Sequence, residues 1–194
     1  MLFESIERQR SHAIQRSKNK LKVQSTKFKA QVLFMFRIGI GYDTHRLIEG
    51  RPLILGGLRI ESQCGAEGHS DADALTHALA DAILGALCEG DLGVHFPDND
   101  PQWKDADSLQ LLARVVWLAH ERGYLIVNAD ATVLLQAPKL REHIAAMRDN
   151  LANTLNLGSD CVSVKAKTGE GLDAVGRGEA VTVQAVVLLS NEAI

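Results

Sequence analysis

Ile38-Gly-Ile-Gly-Tyr-Asp43-Thr-His45, followed two dozen residues later by His69-Ser-Asp71-Ala-Asp73-Ala-Leu-Thr-His77, decides how this chain folds. In an extended strand side chains alternate, so Asp43 and His45 share one face while Ile38, Ile40 and Tyr42 share the other. The apolar face is expected to be core, and the polar face to carry chemistry. Downstream, Leu75, Leu79, Ile83 and Leu87 recur every four residues and predict a helix whose opposite face carries Asp73, His77 and Asp81. Ser70 or Asp71 is the expected cap of that helix, and an acidic first turn suits its dipole. Two imidazoles and a carboxylate, two on a strand and one on a helix, match a catalytic zinc site with three protein ligands and an open fourth position. The same spacing admits a polar helix N-terminus with i,i+4 charge pairs.

Working outward, Phe36 to Tyr42 is the expected first strand. Pro52 to Ile60 forms two short strands turning on Gly56 and Gly57, and Gly65 to Gly68 is a loop. The turn-rich stretch from Gly90 to Pro101 is either a functional loop or a solvated linker. A second helix runs from about Ser108 to Arg122, with Leu111, Leu112, Val115 and Leu118 inward, Trp117 in the core and Gly123 ending it. A β-rich run from Tyr124 to Leu135 breaks at Gln136-Ala-Pro138-Lys139. Leu140, Ile144, Met147, Leu151 and Leu155 then mark a third helix stopped by Gly158. Cys161 to Lys167 alternates through Val162, Val164 and Ala166. Ala180 to Leu189 is apolar almost throughout, which predicts burial on both faces. The expected fold is α+β, a two-layer α/β sandwich: a mixed sheet of about four main strands plus a small hairpin, with three helices on one face.

The chain of 194 residues is 46% hydrophobic and 23% charged, which fits one globular domain, expected at 35–194. No apolar run approaches the roughly 20 residues of a spanning helix, so no membrane partner is expected. Cys64, Cys88 and Cys161 lack CxxC spacing, which argues against a cysteine zinc site and fits a reducing cytoplasm. The net charge of -3 hides a basic segment: residues 1–34 carry eight basic and two acidic side chains, leaving an acidic body unsuited to nucleic acid. Met35 is the expected true start, which would make residues 1–34 a disordered basic extension. Their serine-containing, acid-poor makeup also suggests a transit peptide, and with it a plastid location.

A second constellation lies in Lys167-Thr-Gly-Glu170-Gly-Leu-Asp173-Ala-Val-Gly176-Arg177. Lys167, Thr168, glycine amides and Arg177 are all donors able to surround phosphate oxygens. Glu170 would repel an anion unless a divalent cation sits between them, as magnesium does on a diphosphate. A flexible glycine-rich hairpin with incidental charges is the plainer alternative.

Together, GYDTHR at 41–46, GHSDADALTHALADAILGA at 68–86, GDLGVHFPDNDP at 90–101, QAPK at 136–139, KAKTGEGL at 165–172 and GRGEA at 176–180 resemble the 2-C-methyl-D-erythritol 2,4-cyclodiphosphate synthase family. The resemblance covers Phe36 to Leu189. It implies an enzyme of the non-mevalonate isoprenoid pathway that converts 4-diphosphocytidyl-2-C-methyl-D-erythritol 2-phosphate to a cyclic diphosphate, releasing CMP. By its motifs Asp43, His45 and His77 are the ligands of one zinc per subunit, and Glu170 is the ligand of a magnesium or manganese held with substrate. His69 and Thr168 steady the phosphates as catalytic residues.

By the same resemblance Ser70, Asp91 and Gly93 hold the methylerythritol, with Thr44 and Leu92 in the same substrate-binding set. Phe96, Pro97, Asp98, Asn99 and Asp100 line that pocket. Cytosine is received by Leu135, Gln136, Ala137, Pro138, Lys139, Leu140 and Arg141. Lys167 and Gly169 accompany Thr168 at the phosphates. The resemblance also implies a homotrimer with active sites between subunits, and places Arg177 toward the trimer axis as a contact for an isoprenoid diphosphate. This chain departs from the family at Lys167-Thr168-Gly169, where a threonine-rich run is usual, and at Ala174, where an aromatic residue is usual. Asp73 and Asp81 are expected to orient an imidazole from behind, with solvated pairing equally open for Asp81. A zinc phosphohydrolase and a non-catalytic isoprenoid-diphosphate-binding trimer are the alternative functions.

Overall fold

The computed structural model describes residues 35–191, and the disorder expected of residues 1–34 falls outside them. Strand β1 (Phe36–Glu49) lies antiparallel to β7 (Ala180–Ser190), paired from Phe36 opposite Ser190 to Arg46 opposite Ala180. On its other side β7 pairs antiparallel with β5 (Leu125–Leu134), and β5 carries β6 (Val162–Lys167) in parallel. The far end of β1 pairs with β4 (Cys64–Ala66), giving the order β4-β1-β7-β5-β6, while β2 (Leu53–Leu55) and β3 (Leu58–Ile60) form a separate hairpin. Helices α1 (Ala74–Leu87), α3 (Ser108–Glu121) and α4 (Ile144–Leu155) make the second layer; α2 (Leu92–His95) and α5 (Asp173–Gly176) are single turns. This is the mixed-sheet α+β sandwich that the periodicities imply.

One expectation is inverted. The inner face of β1 is not the isoleucine face: Ile38, Ile40 and Tyr42 are 73%, 71% and 56% exposed. Gly39 and Gly41 face inward instead, and α1 lies directly on them. A Cβ on Gly39 would sit 1.8 Å from the Ala82 carbonyl oxygen, and one on Gly41 the same distance from that of Ala78. No residue with a side chain fits there, so the helix backbone rides on the bare strand and the larger apolar side chains turn outward. Asp43 and His45 have the same parity as these glycines, which brings them under the helix that carries His77.

Helix α1 is capped by Asp73, not by Ser70 or Asp71, and its first turn holds no acid. Asp73 is fully buried and accepts four hydrogen bonds, from Gly56 N (2.9 Å), Gly57 N (2.7 Å), Thr76 N (3.0 Å) and Thr76 Oγ1 (2.7 Å). One carboxylate thus caps the helix and ties the β2–β3 turn to it, which satisfies a charge that burial alone would penalise.

Other boundaries shift for local reasons. Gly65 and Ala66, expected as loop, belong to strand β4 because β1 runs on to Glu49 and offers it a free edge. Helix α4 begins at Ile144, with Leu140 buried ahead of it, and ends at Asn156 in the left-handed conformation before Gly158 is reached. Strand β7 alternates: Val181, Val183, Ala185, Val187 and Leu189 are buried, but Gln184 and Val186 are exposed on the face they share with Ile38 and Ile40. Ala166 is exposed near the end of β6. Trp117, expected in the core, is 62% exposed on α3.

Candidate active site

Strand β1 and helix α1 deliver the acid and the two imidazoles to one point. Asp43 Oδ2 lies 2.9 Å from His45 Nε2 and 3.1 Å from His77 Nδ1. One ligand atom from each of the three residues lies within 4.8 Å of the others. A tetrahedral cation with one open position asks for such a donor set, so the residues fit zinc. The His45 ring is held from behind, since its Nδ1 is 2.7 Å from the Glu67 carbonyl oxygen, which can only accept. That carbonyl keeps a proton on Nδ1 and leaves Nε2 for a cation.

With no cation between the three residues, burial works against a charge on Asp43, but hydrogen bonds and charge from His45 and His77 outweigh it and hold the carboxyl far below its usual range. His45 is affected in the complementary way: burial lowers its pKa, and the Asp43 carboxylate more than restores it. Asp81 differs. Burial raises its pKa, only partly opposed by the hydrogen bond it accepts from Leu92 N at 2.8 Å, and the Asp91 and Asp43 charges raise it further.

Around the triad is a cleft of about 400 Å³, lined by His69, Ser70, Leu92, Gly93, Phe96 and Asp98 among the expected residues, and by Asp81, Trp103 and Leu111 beside them. Asp91, Pro97, Asn99 and Asp100 do not line it. Asp91 caps α2 through Val94 N, and Asp100 caps the turn at Pro101–Trp103. Thr44 lies on the opposite sheet face, its hydroxyl 2.8 Å from that of Thr182. Neither acid expected behind an imidazole is hydrogen-bonded to one, because Asp73 is occupied as a cap and Asp81 by Leu92.

Residues missed from sequence fill those roles. Ser108 Oγ lies 2.8 Å from His77 Nε2, and Asp71 holds Ser108. Arg51 binds the carbonyls of Ala66, Gly68 and Ser70 at 3.3, 3.2 and 3.2 Å, strapping down the loop that carries His69. Neither residue had a local signal, since both act on segments distant in sequence.

A second cleft, of about 1090 Å³, opens where β5 and β6 end. Leu135, Pro138, Lys139, Leu140 and Arg141 line one side; Lys167, Thr168 and Glu170 line the other. Leu135 N donates to the Lys167 carbonyl at 2.9 Å, joining the two loops. Thr168 Oγ1 donates to Glu170 Oε1, so hydroxyl and carboxylate meet at the rim. Gly169 packs on the backbone of Gly176, which folds the loop back onto α5. Gln136, Ala137, Gly169, Ala174 and Arg177 are not among the lining residues. Arg177 pairs with a neighbouring carboxylate: its Nε and Nη2 each lie 2.9 Å from the Glu179 carboxylate two residues on. No residue lines both clefts.

Residues 36–190 match the model of the YgbB family. The 2-C-methyl-D-erythritol 2,4-cyclodiphosphate synthase of Synechococcus elongatus is 58% identical over 157 residues, which are 81% of this chain and 98% of that protein. The synthase of Salinibacter ruber is 57% identical over 155 residues, 80% of this chain and 99% of its own. Among solved structures, a 2C-methyl-D-erythritol-2,4-cyclodiphosphate synthase in its CDP-bound form superposes with a TM-score of 0.74 at 45% identity, covering 79% of this chain and 99% of that one. The bifunctional IspDF of Campylobacter jejuni gives 0.78 at 41% identity; the match takes in 81% of this chain but only 42% of that longer one.

Proposed function

This chain belongs to the YgbB family and is a cyclodiphosphate synthase of the non-mevalonate isoprenoid pathway, and we propose that it works with zinc on Asp43, His45 and His77 and a second divalent cation on Glu170. The reaction is a cyclisation: the 2-phosphate of 4-diphosphocytidyl-2-C-methyl-D-erythritol 2-phosphate forms a bond to the β-phosphorus, and the bond to CMP breaks. No protein nucleophile is required. The observation that carries the metal assignment is the convergence of three ligand atoms within 4.8 Å in a cleft that also holds His69 and Ser70. When bound, the two cations supply Lewis-acid polarisation and neutralise the charge that moves between phosphates.

The side chains do the positioning. His69 donates to phosphate oxygens, and Thr168 does so once a cation on Glu170 releases its hydroxyl proton from that carboxylate; Ser70, Gly93, Phe96 and Asp98 enclose the polyol; the loop from Leu135 to Arg141 takes the cytosine. Glu170 is a carboxylate at an open rim, opposite the loop that carries Lys139 and Arg141, which suits magnesium, a cation that keeps waters and shares substrate oxygens. In a homotrimer the exposed face of Ile38, Ile40, Tyr42 and Val186 would be buried between subunits, and the metal cleft of one subunit would meet the nucleotide cleft of the next.

Incubation of the zinc-loaded protein with its substrate and magnesium, followed by phosphorus NMR, tests this. Cyclic diphosphate and CMP are expected, with one zinc per chain by elemental analysis. Linear phosphates would make the protein a phosphohydrolase. A trimer by light scattering is expected, and a monomer at micromolar concentration would contradict the shared site.

A further inference from the structure

We propose that Ser108, held by Asp71, is a positioning residue that fixes His77 in the tautomer presenting Nδ1 to the metal. This rests on the zinc assignment above. Ser108 is the first residue of α3, 1% exposed, and its Oγ lies 2.8 Å from His77 Nε2. The same hydroxyl donates to Asp71 Oδ1, while the Ser108 backbone N–H donates to Asp71 Oδ2 at 3.1 Å. A carboxylate can only accept, so it takes the one proton the hydroxyl has. Ser108 Oγ is left facing the ring with a lone pair, and only a protonated Nε2 satisfies that contact. Nδ1 is then the bare nitrogen on the side of Asp43, whose Oδ2 is 3.1 Å away, so that the two atoms present lone pairs to a shared cation.

Ser70 also approaches Nε2, but at 3.2 Å, and its hydroxyl, which accepts from Ala72 N, keeps a proton free to turn to the cleft that it lines. The anchored partner is Ser108. His45 is set the opposite way, since the Glu67 carbonyl protonates Nδ1 and frees Nε2. The two rings therefore bind through different nitrogens, each fixed by a partner on its far side. Partners of this kind change metal affinity by about 10–100-fold when removed.

Long-range proton–nitrogen NMR of the zinc-loaded full chain reads both tautomers without any substitution. The expected spectrum has His77 protonated at Nε2 and His45 protonated at Nδ1; His77 protonated at Nδ1 would overturn the proposal. Competition with a chromophoric chelator gives the second readout. Ser108→Ala should weaken zinc binding about 10–100-fold, and Ser108→Thr, which keeps the hydroxyl, should recover most of it. Zinc held by Ser108→Ala as tightly as by the wild type would refute the role of Ser108. Wild-type protein that binds no zinc would instead remove the metal assignment beneath it.

Discussion

Beneath α1, every ligand side chain is part-buried and held by a second partner: Glu67 behind His45, Ser108 behind His77, Thr44 N on Asp43. At the ends of β5 and β6, the residues we propose for phosphate and nucleotide project from loops, and Thr168 and Glu170 have mainly each other. The first cleft has its geometry within a single chain; the second depends on what enters it. A cation that must stay bound between turnovers needs rigid ligands, whereas a nucleotide that must arrive and leave needs an accessible rim.

If the two regions differ as described, substitutions should separate folding, metal content and turnover. The largest effect is expected from Gly41→Ala, whose added carbon would press on the Ala78 carbonyl and lift α1 from β1. A loss of about 3 kcal/mol or more in urea unfolding is expected, with zinc content falling too. A variant that melts normally and keeps its zinc would show that helix seating does not set the metal geometry.

His77→Ala comes next. It should leave the fold intact, abolish stoichiometric zinc and lower turnover at least about 10²–10³-fold, the scale of losing a key electrostatic group. Elemental analysis decides, and undiminished zinc would break the assignment. Glu170→Gln should separate the regions most cleanly: wild-type zinc and melting temperature, measured in metal-matched buffer, with turnover down about 10²-fold and only partial rescue by excess magnesium. Wild-type turnover and magnesium dependence would place the second cation elsewhere.

The smallest effect concerns Asp81. Its folded-state pKa is raised, mainly by burial, so its ionised form costs stability above that pKa, and the cost vanishes as pH falls below the unfolded value of about 3.9. Asp81→Asn keeps an acceptor for Leu92 N and removes the charge. It should melt slightly higher than wild type near neutral pH and equal to it below the carboxylate range. A variant less stable at neutral pH would mean that the charge itself supports the cleft.

Periodicity located the elements well: the repeats through Leu75–Leu87 and Met147–Leu155, and the alternation at Val162 and Val164, all correspond to observed helices and a strand. It failed where burial was inferred from residue type. Ile38 and Ile40 are as apolar as any core residue, and a single chain does not bury them, because the helix takes the glycine side. The alternation placing Asp43 with His45 was legible; that Gly39 and Gly41 form the packing face with them depends on where α1 lies, which alternation along one strand does not encode. Ser108 and Arg51 were invisible because their partners lie 31 and 15 to 19 residues away, and no local pattern encodes such contacts.

The parity of β1 also acts as a register check. A slip of one residue against β7 would turn Gly39, Gly41, Asp43 and His45 outward and drive Ile38, Ile40 and Tyr42 into the backbone of α1. The misaligned chain would lose its helix contact and both strand ligands in the same step. Because a bound cation stabilises only the arrangement that supplies its ligands, zinc would draw the population toward the aligned strand and away from slipped neighbours. A metal held there would thereby proofread strand alignment.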